Sequence, residues 1–390
     1  MPDTHPIPTP LASPRLMPGK GEESETLAEA RRQMEICNAC RYCEGYCAVF
    51  PAMTLRREFS AGDLTHLAHL CHNCKGCYHA CQYAPPHAFG VNIPATFATL
   101  RQESYAQFAW PAAMGAAFAR NGTLVALAAF AGPSIALLLA ILLVDPAVLY
   151  TAQTGTGAFF RVVPHELMIL LAGGSFGYAL FALAMSGRAY WRATAPGARP
   201  GAAPLAEAAV DILTLRYLSG GGHGCNDLDE GFTQARRWLH HALFYGFLLC
   251  FAATCTGFVY HYAFGWKSPH PFFSLPVQLG TWGGVLMCVG SAGLIWIKIV
   301  TDPGPVAKRL LGGEYAMLGL LFLIAASGLL LLALRHTGAM GSLLVLHLGL
   351  VIAFFLVLPY SKMVHGMYRG LALLRHAVEK RRLRPLGGGG

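Results

Sequence analysis

Six stretches of this chain are apolar for long enough to leave it little choice of fold: about 122–144, 166–186, 239–264, 277–297, 315–334 and 341–359. Crossing a bilayer takes roughly 20 helical residues at 1.5 Å rise each. In hydrocarbon every backbone N–H and C=O must be paired within the segment, so a series of such runs is a helical bundle. None holds Asp, Glu, Lys or Arg near its centre, apart from Glu166 at a boundary, and the fourth reads on into Lys298. Buried helices of a soluble protein would need a very large core for so few charges. The chain has 13% charged residues, against about 25% in soluble domains.

Lysine and arginine set the direction. The 187–238 connection holds six, 298–314 three and 360–390 seven; the opposite connections hold only Arg161, Lys267 and Arg335. Sixteen against three is a positive-inside signal. It predicts a multi-pass protein of the bacterial inner membrane with both termini and the 187–238 loop in the cytoplasm. The net charge of +9 sits in short clusters beside apolar runs, with no basic stripe interleaved with aromatics. Membrane lipid, and no nucleic acid, accounts for it.

Ahead of the spans, residues 31–105 have ordinary polarity and carry CNACRYCEGYC from Cys37 and CHNCKGCYHAC from Cys71. These two copies of one spacing use eight of the twelve cysteines. A cytoplasmic location argues against four disulfides, and structural zinc takes paired cysteines, leaving part of each run without a use. The run is that of two [4Fe–4S] clusters, where three close thiolates hold one cube and the fourth crosses to the other. Cys37, Cys40, Cys43 and Cys81 then hold the first cluster; Cys71, Cys74, Cys77 and Cys47 hold the second. The proline that usually follows the fourth cysteine is absent, and Pro51 and Pro85 each fall four residues past it. Between the runs Leu55 and Phe59, then Leu64, Leu67 and Leu70, recur at three- and four-residue steps. That period predicts an all-helical ferredoxin-type domain. His66, His69, His72 and His79 read as partly exposed polar residues on short helices, with hydrogen bonds to sulfur as the alternative.

Membrane-edge histidines suggest a second cofactor. There is no Cys-x2-Cys-His, which leaves b-type haem with two axial histidines from neighbouring helices. His347 and His365 are 18 residues apart, about five turns and 27 Å on one helix, and so on one face near opposite membrane surfaces. The third span offers His261 at its outer end and either His240 or His241 at its inner end. Regular phase favours His240, and a kink near Gly246 or Gly257 would favour His241. Two stacked b-type haems follow. His165, His270 and His336 are left as interfacial.

The expected architecture is all-α: a tail (1–30, disordered), the two-cluster domain (31–105), a six-span haem domain (106–375) and a basic, Gly-rich tail (376–390) on which His376 is solvated. LSGGGHGCNDLDEGF in the inner loop reads as a flexible re-entry turn with Cys225 a free thiol. Cys250, Cys255 and Cys288 read as small apolar residues within spans.

CNACRYCEGYCAVFPAM, GCYHACQYAPPHAFGVNIP, RRWLHHALFYGFLLCFAAT, FVYHYAFGWKSPHPFFSLP and LPYSKMVHGMYR together resemble the tricarballylate/citrate-utilisation protein B family over roughly residues 30–380. The chain is also similar to the carboxy-terminal half of fusion proteins from cobalamin biosynthesis. More distantly, LPYSKMVH resembles the end of the last haem-bearing helix in the nitrate reductase gamma subunit and the heterodisulfide reductase membrane subunit. The family resemblance implies an electron-transfer subunit rather than a substrate-converting one. It would reoxidise the flavin of a soluble, tricarballylate dehydrogenase-like partner and pass electrons to quinone. The alternatives are a module serving a flavoprotein that oxidises a precorrin, or a heterodisulfide reductase-like, quinone-linked subunit.

Overall fold

A computed structural model describes residues 23–383; most of the tail expected over 1–30, and the end of that over 376–390, lie outside the described residues. Helix α1 (Glu25–Cys40) starts inside the stretch expected to be disordered, because Ser24 caps it and accepts from the Leu27 N–H. The Ser24 and Thr26 hydroxyls also donate to the Glu103 carboxylate (3.0 and 2.6 Å). After α1 come α2 (Val49–Thr54), α3 (Ala61–Leu70), α4 (Gly76–His79) and α5 (Ile93–Phe108). Met34, Phe50, Met53, Phe59, Leu64, Leu67, Leu70 and Phe97 pack into one core beneath the cysteines. Leu55, expected among them, is 41% exposed because α2 ends at Thr54 and the period restarts in α3. No strand forms among the described residues beyond the isolated pair Cys225–Thr233.

Six helices are long and apolar enough to cross a membrane: Ala112–Leu143, His165–Thr194, Ala235–Phe264, Leu275–Val300, Lys308–Leu334 and Met340–Tyr360. The second runs past 186, its expected end, to Thr194, and its last turn lies against α3: a Cβ on Gly62 would meet the Ala193 carbonyl at 2.8 Å. The inner loop is not a plain connection but contains a helix, Ala202–Leu213.

The end of the sixth span departs most from expectation. The helix stops at Val357, two 3-10 turns follow (Leu358–Tyr360 and Lys362–Val364), and a new helix begins at His365. Pro359 lacks an N–H for the ladder, and the Ser361 hydroxyl accepts from the Met363 N–H to restart it. His347 and His365 are therefore on separate helices, and the five-turn phase argument between them fails. The C-terminal helix, His365–Leu383, is no solvated tail over its described length. Ala372, Leu373 and Ala377 are buried, and His376 is only 3% exposed, because this helix packs between α3 and the Ala202–Leu213 helix.

Charge ties that helix to the cysteine-bearing domain. Arg56 bonds Asp63 (2.9 Å) and Glu379 (2.7 Å), and Arg375 bonds Asp63 (2.5 Å) and Glu379 (2.7 Å). Burial alone would raise the Asp63 carboxyl; Ser60, Arg56 and Arg375 outweigh it and hold it down at about 2. A carboxyl depressed by folding contributes stability that is full above the ordinary carboxylate range and lost as pH falls towards the folded value. Within the bundle, the third and fourth spans approach most closely at glycines: a Cβ on Gly290 would lie 2.5 Å from the Leu243 nitrogen.

Three outcomes follow, all read as thermal midpoints of the detergent-solubilised protein. The wild type should exceed Asp63→Asn in stability near pH 7, and the excess should shrink as pH drops below about 4. Gly290→Ala should cost roughly 1–3 kcal/mol by overpacking. Gly257→Ala, with nothing within 4 Å of the new Cβ, should be neutral or stabilising by up to about 1 kcal/mol.

Candidate metal centres

The two cysteine runs meet in crossed sets. Cys37 and Cys40 close α1, Cys43 sits in the next turn and Cys81 follows α4; the four line one cavity with Ile36, Tyr42, Phe50 and Val91, and Cys77 borders both this cavity and the next. Cys47, just before α2, lines a second cavity with Cys71, Cys74 and Cys77. The thiols surround these spaces without meeting at a point: among the described residues no three His, Cys, Asp or Glu side chains converge on one ion. Burial, then neighbouring thiols, push Cys37 and Cys43 up to about 12, and Cys47 and Cys77 well above the usual thiol range. Thiols held up in this way become thiolates only if bound cations take up their charge. The donor sets fit a polynuclear iron–sulfur group in each cavity.

The repeat extends to the backbone. Arg41 follows Cys40 and Lys75 follows Cys74, and both are left-handed, at φ 57° and 65°. That conformation costs a non-glycine residue about 1–2 kcal/mol, so each turn is held by what surrounds it.

The second cavity is the deeper one, and three arginines from distant parts of the chain hold its loop. Arg101 on α5 donates to the carbonyls of Ala68 (2.8 Å) and Cys71 (3.2 Å). Arg369 on the C-terminal helix donates to Cys71 (2.8 Å) and His69 (3.4 Å). Arg236, in the first turn of the third span, donates to Asn73 (2.5 Å) and His72 (3.1 Å). The glycine-rich stretch closes the site and is not a flexible turn. The Asn226 N–H donates to the Cys74 carbonyl (2.9 Å), Cys225 and Thr233 exchange two backbone bonds, and Cys225 is 1% exposed. Thr301 joins it from the fourth span's end, donating to the Asp227 carbonyl (2.5 Å) and accepting from Lys75.

His66, His69 and His72 are buried, not partly exposed, and burial pushes all three well below the usual imidazole range. His69 Nε2 pairs with the Ser104 hydroxyl (2.8 Å) inside a ring of Tyr105, Tyr190 and Tyr368. His72 Nδ1 donates to the Leu70 carbonyl (2.7 Å). These nitrogens bond to oxygen rather than to cysteine sulfur. His79 lies 3.6 Å from Asp302.

The third span is one helix from Ala235 to Phe264, so regular phase decides between its inner histidines. His240 faces His365 with ring centres 6.2 Å apart and planes at 84°, whereas His241 packs on Trp238 and Tyr245. Two metal–imidazole bonds of about 2.0 Å, plus the distance from each nitrogen to its ring centre, amount to roughly 6 Å. His365 Nδ1 donates to the Lys362 carbonyl (2.7 Å), which leaves Nε2 to bind a metal. His240 Nδ1 is buried without a partner. These two imidazoles are the ones that would hold a haem iron.

The outer histidines are arranged differently. His261 stacks on His165 at 3.8 Å and 16°, and His347 Nδ1 pairs with the Ser327 hydroxyl (3.0 Å). His261 and His347 are not in ring contact. From His240 to His261 the helix turns about 60° out of phase over its 21 residues, which carries His261 towards the second span. His165, set aside as interfacial, is its neighbour; His270 is buried beside Ser268 and His336 is exposed.

Sequence reasoning missed the arginines and the cover over the second cavity. Arg236 lies one turn before His240 and Arg369 one turn after His365, and both counted only as inner-side charge.

Residues 30–107 match the family model described as "Citrate utilization protein B Fer4-like domain", and residues 119–386 match "Citrate utilization protein B". The chain is 47% identical over 361 residues to a protein of Escherichia coli called "Citrate utilization protein B", covering 92% of this chain and 94% of that one. No solved structure matches the chain.

Proposed function

The chain belongs to the citrate utilization protein B family, and from that membership we propose that it carries electrons from the reduced flavin of a soluble dehydrogenase to membrane quinone. Its iron–sulfur domain and six apolar helices make it a membrane electron-transfer protein. Two [4Fe–4S] clusters and a b-type haem, when bound, supply one-electron carriers between the two-electron flavin and the two-electron quinone.

The chain's own residues give those carriers an order. Cys37, Cys40, Cys43 and Cys81 hold the carrier nearest the surface, beside Tyr42, which is 68% exposed, and this is where the flavoprotein docks. Cys47, Cys71, Cys74 and Cys77 hold the next, beneath the glycine-rich cover. Arg236 and Arg369 fix the carbonyls of that loop one helical turn from His240 and His365. The inner histidine pair holds the haem, and quinone is reduced beyond it. The excess of Lys and Arg in the connections on this side supports a cytoplasmic position for the assembly. The partner acts on a tricarboxylate, as tricarballylate dehydrogenase does.

One observation carries the reading: His240 and His365 face each other at 6.2 Å, each a turn from an arginine that holds the second cavity. One haem, at this pair, is what the histidine geometry supports. The expected outer haem between His261 and His347 has no such support.

Pyridine haemochrome assay of the purified protein tests this directly. His240→Ala and His365→Ala should each abolish bound haem, and His241→Ala should retain it. His347→Ala should leave the haem content at the wild-type level. Full haem in both His240→Ala and His365→Ala would refute the axial assignment.

A further inference from the structure

The two cysteine sets differ in the charge around them. The first cavity is walled by Ile36, Tyr42, Phe50, Gln82, Tyr83 and Val91, among others, and no Lys, Arg or His lines it. Its nearest basic residue in sequence, Arg41, is exposed and donates to the Asn38 carbonyl. The second cavity has Lys75 in its wall, 4% exposed, as is Arg101. The guanidiniums of Arg101, Arg236 and Arg369 reach the carbonyls of residues 68–73 around it.

Negative charge in the neighbourhood is mostly spoken for. Asp227 lies 3.9 Å from Arg236, and Glu314 is held by Lys298 and Lys362. Among the described residues Arg101 and Arg369 form no ion pair, and their partners are carbonyls alone. Burying cations without an anion is costly. An iron–sulfur cluster on four thiolates carries net negative charge that grows by one on reduction, so the arginines offset that charge and favour the reduced form.

We propose that Arg101, Arg236 and Arg369 act as positioning residues that raise the reduction potential of the cluster on Cys47, Cys71, Cys74 and Cys77 above that of its neighbour. Electrons then run inward, from the exposed set to the covered one. In this step the first cluster is oxidised, the second is reduced by the same electron, and no proton moves. The partner's reduced flavin supplies the electrons. The inference rests on the two-cluster reading of the cysteine sets.

An EPR-monitored redox titration of the full-length protein in detergent tests it. The wild type should show two separate couples, and Cys40→Ser should perturb the lower one, which assigns it to the first set. In Arg101→Gln and Arg369→Gln the reduced-to-oxidised ratio of the upper couple at a fixed ambient potential should fall about tenfold, a shift of about 59 mV for one electron. The lower couple should stay in place. Arg369→Lys, which keeps the charge, should recover most of the shift, as a purely structural role would not require. A wild type whose covered cluster titrates at or below the exposed one overturns the inference, even where a glutamine variant fails to assemble. An upper couple unmoved by the glutamine variants overturns it too. About eight cluster irons per chain with the reversed order would refute only the potential ordering. About four would refute the two-cluster reading and this inference with it.

Discussion

Three guanidiniums converge on the backbone carbonyls of residues 68–73, and each comes from a different part of the chain. Arg101 belongs to the cysteine-bearing domain, Arg236 to the start of the third span and Arg369 to the helix after the sixth. A charge-assisted hydrogen bond is roughly twice as strong as a neutral one and holds direction as well as distance. The clamp thus fixes the ligand loop of the second cavity to the two helices that carry His240 and His365. The Arg56–Asp63–Arg375–Glu379 network adds a second tie between the domain and the C-terminal helix. Without these ties an iron–sulfur domain would be merely tethered to a membrane bundle, at no defined distance from it.

Much of this could be read from the sequence, for reasons that differ by element. The six spans were legible because an apolar run of helix length has almost no other fold open to it. The iron–sulfur character of the domain was legible because two four-cysteine runs of one spacing have few other uses. The extension of the second span to Thr194 was not, since its last turns are polar and held by packing on α3, which no local pattern records. His376 was misplaced for a related reason: a basic amphipathic helix reveals that it has a buried face, not which partner covers it.

The histidines show where periodicity stops being a guide. Phase along the continuous helix Ala235–Phe264 puts His240, and not His241, opposite His365. The same arithmetic failed for His347 and His365, where Pro359 and Ser361 divide the chain into separate helices. The arginines were visible throughout but were assigned to membrane orientation. A positively charged residue at an inner helix end satisfies that rule and can satisfy a buried loop as well. Arg236 and Arg369 satisfy such a loop, which their sequence positions at the ends of apolar runs do not reveal.

The central claim is that the covered cluster, not the exposed one, is the neighbour of the inner histidine pair. Pulsed EPR of protein carrying manganese protoporphyrin in place of haem measures this directly, because Mn(II) stays paramagnetic under reducing conditions and speeds the spin relaxation of a nearby reduced cluster. The account predicts clear enhancement for the cluster on Cys47, Cys71, Cys74 and Cys77 and much less for the one on Cys37, Cys40, Cys43 and Cys81. Equal enhancement of both, or a stronger effect on the exposed cluster, would contradict it.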